Sequence, residues 1–229
     1  MTAWIFFDCF NTLIDDFDAS GDESGLGSLP DLALELGVVQ RRADFITAYA
    51  SARPALAGPY VEVDLVRRIE HAVSGAGLEG GDLTRVVERL ISRWHAEYPE
   101  TLRLTPGVVD MLAYWRGKRR LGVVSNFHLA GYPASYLERF GIRDAFEFVI
   151  DSAAFGHRKP GRRIFEEALR TAGAQPEAVT FIGDRLDLDV EPSHALGMRA
   201  IHLNRSAARL NALRTPVGFA SIAGWDEFR

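Results

Sequence analysis

The sequence predicts an α/β fold: a doubly wound parallel sheet with a small all-helical domain inserted after the first strand. Three observations carry that expectation. From residue 100 onward, apolar runs of strand length alternate with helical patterns, which implies crossover connections and a parallel sheet. Residues 16–99 hold several helical patterns with no strand between them. Asp8, Ser125, Asp151 and Asp184 each fall just past an apolar run, where an open α/β sheet gathers its ligands. The expected domains are 1–15 with 100–229 as the α/β core, and 16–99 as the helical insertion.

The elements follow in order. Ala3–Phe7 is apolar and rich in Trp, Ile and Phe, which favour a buried strand. Asp15–Pro30 is rich in Asp, Ser and Gly and reads as an exposed, flexible connection, with its acidic part as a hinge. Helices are expected over Pro30–Leu36, stopped by Gly37, and over Arg41–Ala52, with Phe45, Tyr49 and Ala52 at helical spacing. Glu62–Val73 and Asp82–Tyr98 follow. The second of these places Leu83, Val86, Val87, Leu90, Ile91 and Trp94 on one face. Pro99–Pro106 reads as the return to the core. A helix from Pro106 to Trp115 precedes strand Arg120–Val124, helix Ala134–Phe140 and strand Phe146–Ile150. Then come helix Arg162–Ala172, strand Val179–Ile182, helix Leu186–Leu196 and strand Ala200–Leu203. The tail from Ser206 carries no clear pattern.

Composition narrows the function. The 229 residues are 47% hydrophobic and 25% charged, ordinary for a soluble globular protein. A net charge of -5 argues against nucleic acid or an anionic membrane as partner, since both need a basic face. A small phosphorylated substrate needs only local positive charge. The single cysteine, Cys9, forms no internal disulfide, so the fold needs no oxidising compartment. No signal peptide or membrane-spanning apolar run is evident. The expectation is a cytoplasmic protein, monomer or homodimer, acting on a small molecule.

The chemistry-bearing motifs are Phe6-Phe7-Asp8-Cys9-Phe10-Asn11-Thr12-Leu13, Ser125-Asn126, Gly156-His157-Arg158-Lys159-Pro160 with Ile164-Phe165, and Phe181-Ile182-Gly183-Asp184-Arg185-Leu186-Asp187-Leu188-Asp189-Val190. A carboxylate held ionised and aimed at an electrophile can act as a nucleophile. A phosphoryl transition state is stabilised mainly by positioning and positive charge. Asp8 fits the first role and Lys159 the second. The Ser125 hydroxyl and the Asn126 backbone N–H fit as donors to substrate. Asp184 and Asp189 suit a hard cation, and magnesium suits them best. Asp187 reads as solvent-facing. Cys9 reads as a small buried side chain.

In this order, the motifs resemble those of the haloacid dehalogenase-like hydrolase superfamily, whose core is Rossmann-like and often carries a helical cap after the first motif. The resemblance implies Asp8 as nucleophile, and Asp8, the Phe10 carbonyl, Asp184 and Asp189 around Mg2+, with Asp189 acting directly or through water. Thr12 would orient the Asp8 loop. The first motif departs from the common phosphatase pattern, which places a second Asp where this chain has Phe10. General acid–base help of that kind is worth about 10² to 10⁴ in rate. Three consequences are open. The leaving group needs no proton, as in an acyl phosphate, an anhydride or a halide. Another group substitutes, with His128, Asp15 and Asp16 as candidates. Or the site binds phosphate without turnover.

A metal-independent 2-haloacid dehalogenase is the second reading, since Phe10 matches that group's first motif. Asp184 counts against it, as does the lack of a secure halide-binding arginine among Arg41, Arg42 and Arg53. A lysine-dependent phosphonate hydrolase is excluded by the lysines, which are only Lys118 and Lys159, both outside the predicted cap. Tyr49, Tyr60 and Arg53 are cap residues that could face a substrate. The leading expectation is a magnesium-dependent hydrolase of a small phosphorylated or acyl-phosphate substrate.

Overall fold

The apolar runs become a parallel sheet because each is long enough to pair and too apolar to leave in water. The computed structural model describes residues 3–16, 26–205 and 218–229. Among them, the strands are β1 (Trp4–Phe7), β2 (Ile14–Asp15), β3 (Arg103–Leu104), β4 (Arg120–Ser125), β5 (Phe148–Asp151), β6 (Val179–Gly183), β7 (Arg199–Leu203) and β8 (Ala220–Ile222). Six of them form one sheet in the order β5-β4-β1-β6-β7-β8, while β2 and β3 form a separate two-stranded sheet. Every pairing in the large sheet is parallel. Strand β1 lies between β4 and β6, with Phe7 opposite both Val123 and Ile182. The chain winds to one side of β1 and then to the other, so strand order reverses beside Asp8.

Alternation along β1 supplies both faces of the core. Trp4 and Phe6 join Phe148, Phe181, Ile164, Phe165 and Ala168 in one apolar cluster, the last three from helix α8 (Arg162–Ala172). Phe7 faces the other way and meets Phe146 and Trp225 edge-on. Each such aromatic, fully buried, contributes roughly 1.5–3 kcal/mol. Gly122 on β4 is required: a Cβ there would collide with the Phe148 ring.

The chain divides into two compact units, 1–15 with 104–229, and 16–103. The second unit holds α1 (Leu29–Glu35), α2 (Arg42–Leu56), α3 (Leu65–Val73) and α4 (Gly80–Thr101). Its interior is Phe45, Tyr49, Leu65, Ile69, Leu90 and Trp94, with Trp94 stacked on Tyr98 at 4.5 Å. Helix α3 begins at Leu65 rather than Glu62, because the Asp64 carboxylate caps it by accepting from Arg67 N–H. Helix α4 runs through Pro99 to Thr101, so Pro99 does not begin the return.

The core unit adds α5 (Val108–Trp115), α6 (Tyr132–Arg139), α7 (Ser152–Phe155) and α9 (Glu191–Ala195). Two expectations need correction. Asp15 is not an exposed hinge residue: it is buried in β2. Of the rest of that expected hinge, Asp16 is half-buried and accepts from Tyr98 Oη, and residues 17–22 lie outside the described residues. The tail is structured over 218–229, where β8 extends the sheet and Trp225 is buried; 206–217 lie outside the described residues. Among the described residues, no helix is long and apolar enough to cross a membrane.

Candidate active site

Asp8 is placed by the end of β1. Its N–H donates to the Ile182 carbonyl at 2.9 Å, carrying the strand pairing one residue further. The chain then turns sharply. Leu13 and Ile14 N–H both donate to the Cys9 carbonyl, and Asn11 adopts a left-handed conformation (φ 60°) that Asn tolerates better than most residues. The turn brings Thr12 Oγ1 back to donate to Asp8 Oδ2 at 3.2 Å and, at 3.5 Å, to Asp184 Oδ1. Cys9 is fully buried, as expected.

Lys159 is 1% exposed, and its Nζ donates to Asp8 Oδ1 at 2.5 Å and to Asp189 Oδ1 at 2.6 Å. Its backbone is held from both sides by Asn126: Oδ1 accepts from Lys159 N–H at 2.7 Å, and Nδ2 donates to the Lys159 carbonyl at 3.0 Å. The Asn126 side chain therefore positions the lysine, a role the sequence reading had not given it. Asp189 folds back over the end of β6 from a π-helical turn over Leu186–Val190, a distortion common at functional sites. The sequence pattern predicts one continuous helix over Leu186–Leu196; the structure instead has the π-helical turn followed by the short α-helix Glu191–Ala195. Asp189 Oδ2 accepts from Arg185 N–H at 3.1 Å. Gly183 leaves the room: a Cβ there would strike the Asp189 carboxylate.

The electrostatics follow from two carboxylates, Asp8 and Asp189, sharing one ammonium, with Asp184 beside them. Burial works against the Lys159 charge, but Asp189 and Asp8 outweigh it and hold the ammonium protonated well above its ordinary range. Burial pushes Asp189 up to about 6; Lys159 opposes the rise and the Asp8 charge adds to it. Asp8, Asp184 and Asp189 each bring one carboxylate oxygen within 4.8 Å of the others. This all-oxygen set fits a hard divalent cation. Its excess negative charge over a single lysine gives such an ion something to neutralise. Ser125 Oγ, at the end of β4, is buried and has no hydrogen-bond partner among the described residues.

Phe10, two residues after Asp8, is buried, 9% exposed. The ring stacks on Phe127 at 4.6 Å and meets Tyr136 edge-on at 6.3 Å. His128 stacks on Phe127, also at 4.6 Å. The neighbourhood of Phe10 is thus aromatic. Asp15, one candidate proton donor, is engaged elsewhere. Arg205 and Thr105 Oγ1 both donate to it, Arg205 through two nitrogens. Asp16 accepts from Tyr98 Oη at 3.1 Å. Asp151 caps α7, accepting from Ala154 N–H, and also accepts from Gly131 N–H. Asp187 is exposed and paired with Arg185, which holds its carboxyl below the ordinary range.

In the helical unit, Arg41, Arg42 and Arg53 pair with Asp44, Asp31 and Glu62. Tyr49 is buried, with the Arg68 guanidinium 3.7 Å over its ring, and so packs within its own unit. Tyr60 is 52% exposed. Two contacts to the site have no motif to announce them. Buried His202, on β7, donates from Nε2 to the Asp184 carbonyl at 3.1 Å, and burial lowers its pKa despite that bond. Trp225 Nε1 donates to the Thr12 carbonyl at 3.2 Å.

A doubly wound parallel sheet with a carboxylate cluster at its strand ends defines a class of α/β proteins with one polar site at the strand-order reversal. Within that class, a model of the haloacid dehalogenase-like hydrolase family matches residues 2–197, and the chain belongs to that family. Similar proteins include the glyceraldehyde 3-phosphate phosphatase of Methanothermobacter thermautotrophicus, 38% identical over 45% of this chain and 46% of that one. The pyrimidine 5'-nucleotidase YjjG of Escherichia coli is 28% identical over 88% of this chain and 85% of that one. The chain spans about half the length of the archaeal glyceraldehyde 3-phosphate phosphatases from Methanopyrus kandleri and Methanothermobacter thermautotrophicus. Among solved structures, a 2-haloacid dehalogenase from Pseudomonas syringae superposes with a TM-score of 0.71 at 22% identity, covering 100% of this chain and 96% of that one, a likeness of fold.

Proposed function

We propose that the protein is a magnesium-dependent hydrolase that uses Asp8 as nucleophile on a small phosphorylated or acyl-phosphate substrate. The observation that carries this reading is the buried cluster in which Lys159 joins Asp8 to Asp189 while Asp184 completes a trio of carboxylates. The phosphatase names among the relatives accord with it. Asp8, Asp184 and Asp189, with the Phe10 carbonyl, would hold the ion. Bound there, magnesium supplies positive charge for the phosphoryl oxygens.

The chain's own residues do the rest. Lys159 takes one Asp8 oxygen and Thr12 the other, which fixes the carboxylate's orientation. An Asp8 oxygen attacks phosphorus, and the bond to the leaving oxygen breaks with its electron pair. Ser125 Oγ, without a hydrogen-bond partner among the described residues, donates to a phosphoryl oxygen, as does the Asn126 N–H. Water then cleaves the aspartyl phosphate and regenerates Asp8. Phe10 offers no proton to the leaving oxygen, so the substrates favoured are those whose leaving group departs as a stable anion.

That same apolar position supports a second reading, displacement of a halide from a 2-haloacid. Turnover of an aryl phosphate and of chloroacetate, each with magnesium and with a chelator, separates the two. The expected result is phosphate release that the chelator abolishes. Halide release indifferent to the chelator would replace the first reading with the second. Absence of both, with inorganic phosphate still bound, would leave a binding protein.

A further inference from the structure

We propose that the C-terminal segment latches the Asp8 loop, with Trp225 and Arg205 as its positioning residues. The loop from Asp8 to Asp15 is anchored at its start by β1 and closed on itself by its own turn. Within that turn Thr12 is tied to the sheet through its side chain, which hydrogen-bonds Asp8 and, at 3.5 Å, Asp184. Trp225 holds its backbone as well. Its indole is 1% exposed, packs edge-on against Phe7 and donates Nε1–H to the Thr12 carbonyl, a buried bond across 213 residues.

The segment is itself secured. Trp115 Nε1 donates to the Phe228 carbonyl at 3.1 Å, and the rings of Trp115 and Phe228 pack at 5.2 Å. A second tether holds the far end of the loop. Arg205 Nη2 donates to Asp15 Oδ2 at 2.9 Å, and its Nη1 donates to the other Asp15 oxygen and to Thr105 Oγ1. Thr105 N–H donates to the Leu13 carbonyl at 3.1 Å. Arg205 and Trp225 both lie beyond the residues that match the family model, 2–197. The family match therefore ends before the groups that hold this chain's Thr12 and Asp15.

A loop so held presents Asp8 in one orientation, and small misplacements of a reacting group can cost about 100-fold in rate. The latch rests on Asp8 being the nucleophile, and the experiment separates the two claims. Trp225→Phe keeps an aromatic ring and removes the N–H. Arg205→Lys keeps the charge and removes the paired geometry. Turnover of an aryl phosphate with magnesium is measured for both, beside Asp8→Asn, with amide exchange followed over residues 9–14 and over β6. For each variant, kcat is expected to fall about 10- to 100-fold with KM changed less than about twofold. Exchange over 9–14 is expected to quicken about tenfold with β6 unaffected. Loop exchange unchanged in both variants overturns the latch, as does a kcat unchanged in both. If instead Asp8→Asn and the parent protein turn over alike, the nucleophile assignment fails, and the loop exchange alone decides the latch.

Discussion

Lys159 is the residue on which the site's charge balance turns. Its ammonium is buried between two carboxylates, and removing one partner of a buried ion pair costs about 3–5 kcal/mol. Lys159→Met is expected to lower the unfolding free energy by that order, read as a lowered denaturant midpoint, and added magnesium to recover part of the loss. An unchanged midpoint would mean the carboxylates are not held by this charge. Asp189 gives a pH dependence. Its carboxyl is raised in the folded protein to about 6, so the native state carries an extra proton between the ordinary carboxylate range and that value. Without metal, stability therefore falls as pH rises through that window. Asp189→Asn should flatten the slope in a thermal-melting series, and a slope that persists would assign it elsewhere. Phe10 makes a kinetic prediction. With an apolar ring stacked on Phe127 two residues after Asp8, that position offers the proposed reaction no proton. Rates across a series of substituted aryl phosphates should rise steeply with leaving-group acidity, whereas a flat series would require a proton donor.

Strand ends and the turns that follow them build the site from short pieces. The longest-range pieces are those the sequence left dark. Helix α8 spans Arg162–Ala172 as its periodicity predicts, because an amphipathic stripe of that length has few alternatives. The apolar runs of β1, β4, β6 and β7 were legible for the same reason. Strands β2 and β3 have two residues each and carry no period to read. Asp15 looked like an exposed hinge residue by composition; it is buried because Arg205, 190 residues away, pairs with it. The motif residues Asp8, Thr12, Lys159, Asp184 and Asp189 could be picked out one by one. That Asn126 grips the Lys159 backbone, or that His202 supports Asp184, depends on register between strands and could not. Gly183 tests the element-level account. Gly183→Ala would drive a methyl into Asp189, and the expected outcome is a magnesium affinity lowered at least tenfold by calorimetry, about 1.4 kcal/mol. Wild-type affinity would show that Asp189 has room to move aside without cost.

The molecule as a whole is built of two compact units. The α/β unit holds Asp8, Thr12, Ser125, Lys159, Asp184 and Asp189, and the helical unit holds Asp16, Tyr49, Tyr60 and Arg53. A ligand that binds only the folded site stabilises it by about 2.7 kcal/mol at a hundred times its dissociation constant. Magnesium with inorganic phosphate should accordingly raise the melting temperature more than either alone, and no shift with both would argue against a shared site. The central claim is that Asp8 takes the phosphoryl group while magnesium sits among the three carboxylates. Rapid quenching of the enzyme during turnover of an aryl phosphate, followed by mass spectrometry of its peptides, tests it most directly. The account predicts a phosphoryl adduct on the peptide bearing Asp8, present with magnesium and absent with a chelator. Turnover with that peptide unmodified, or an adduct on another residue, would contradict it.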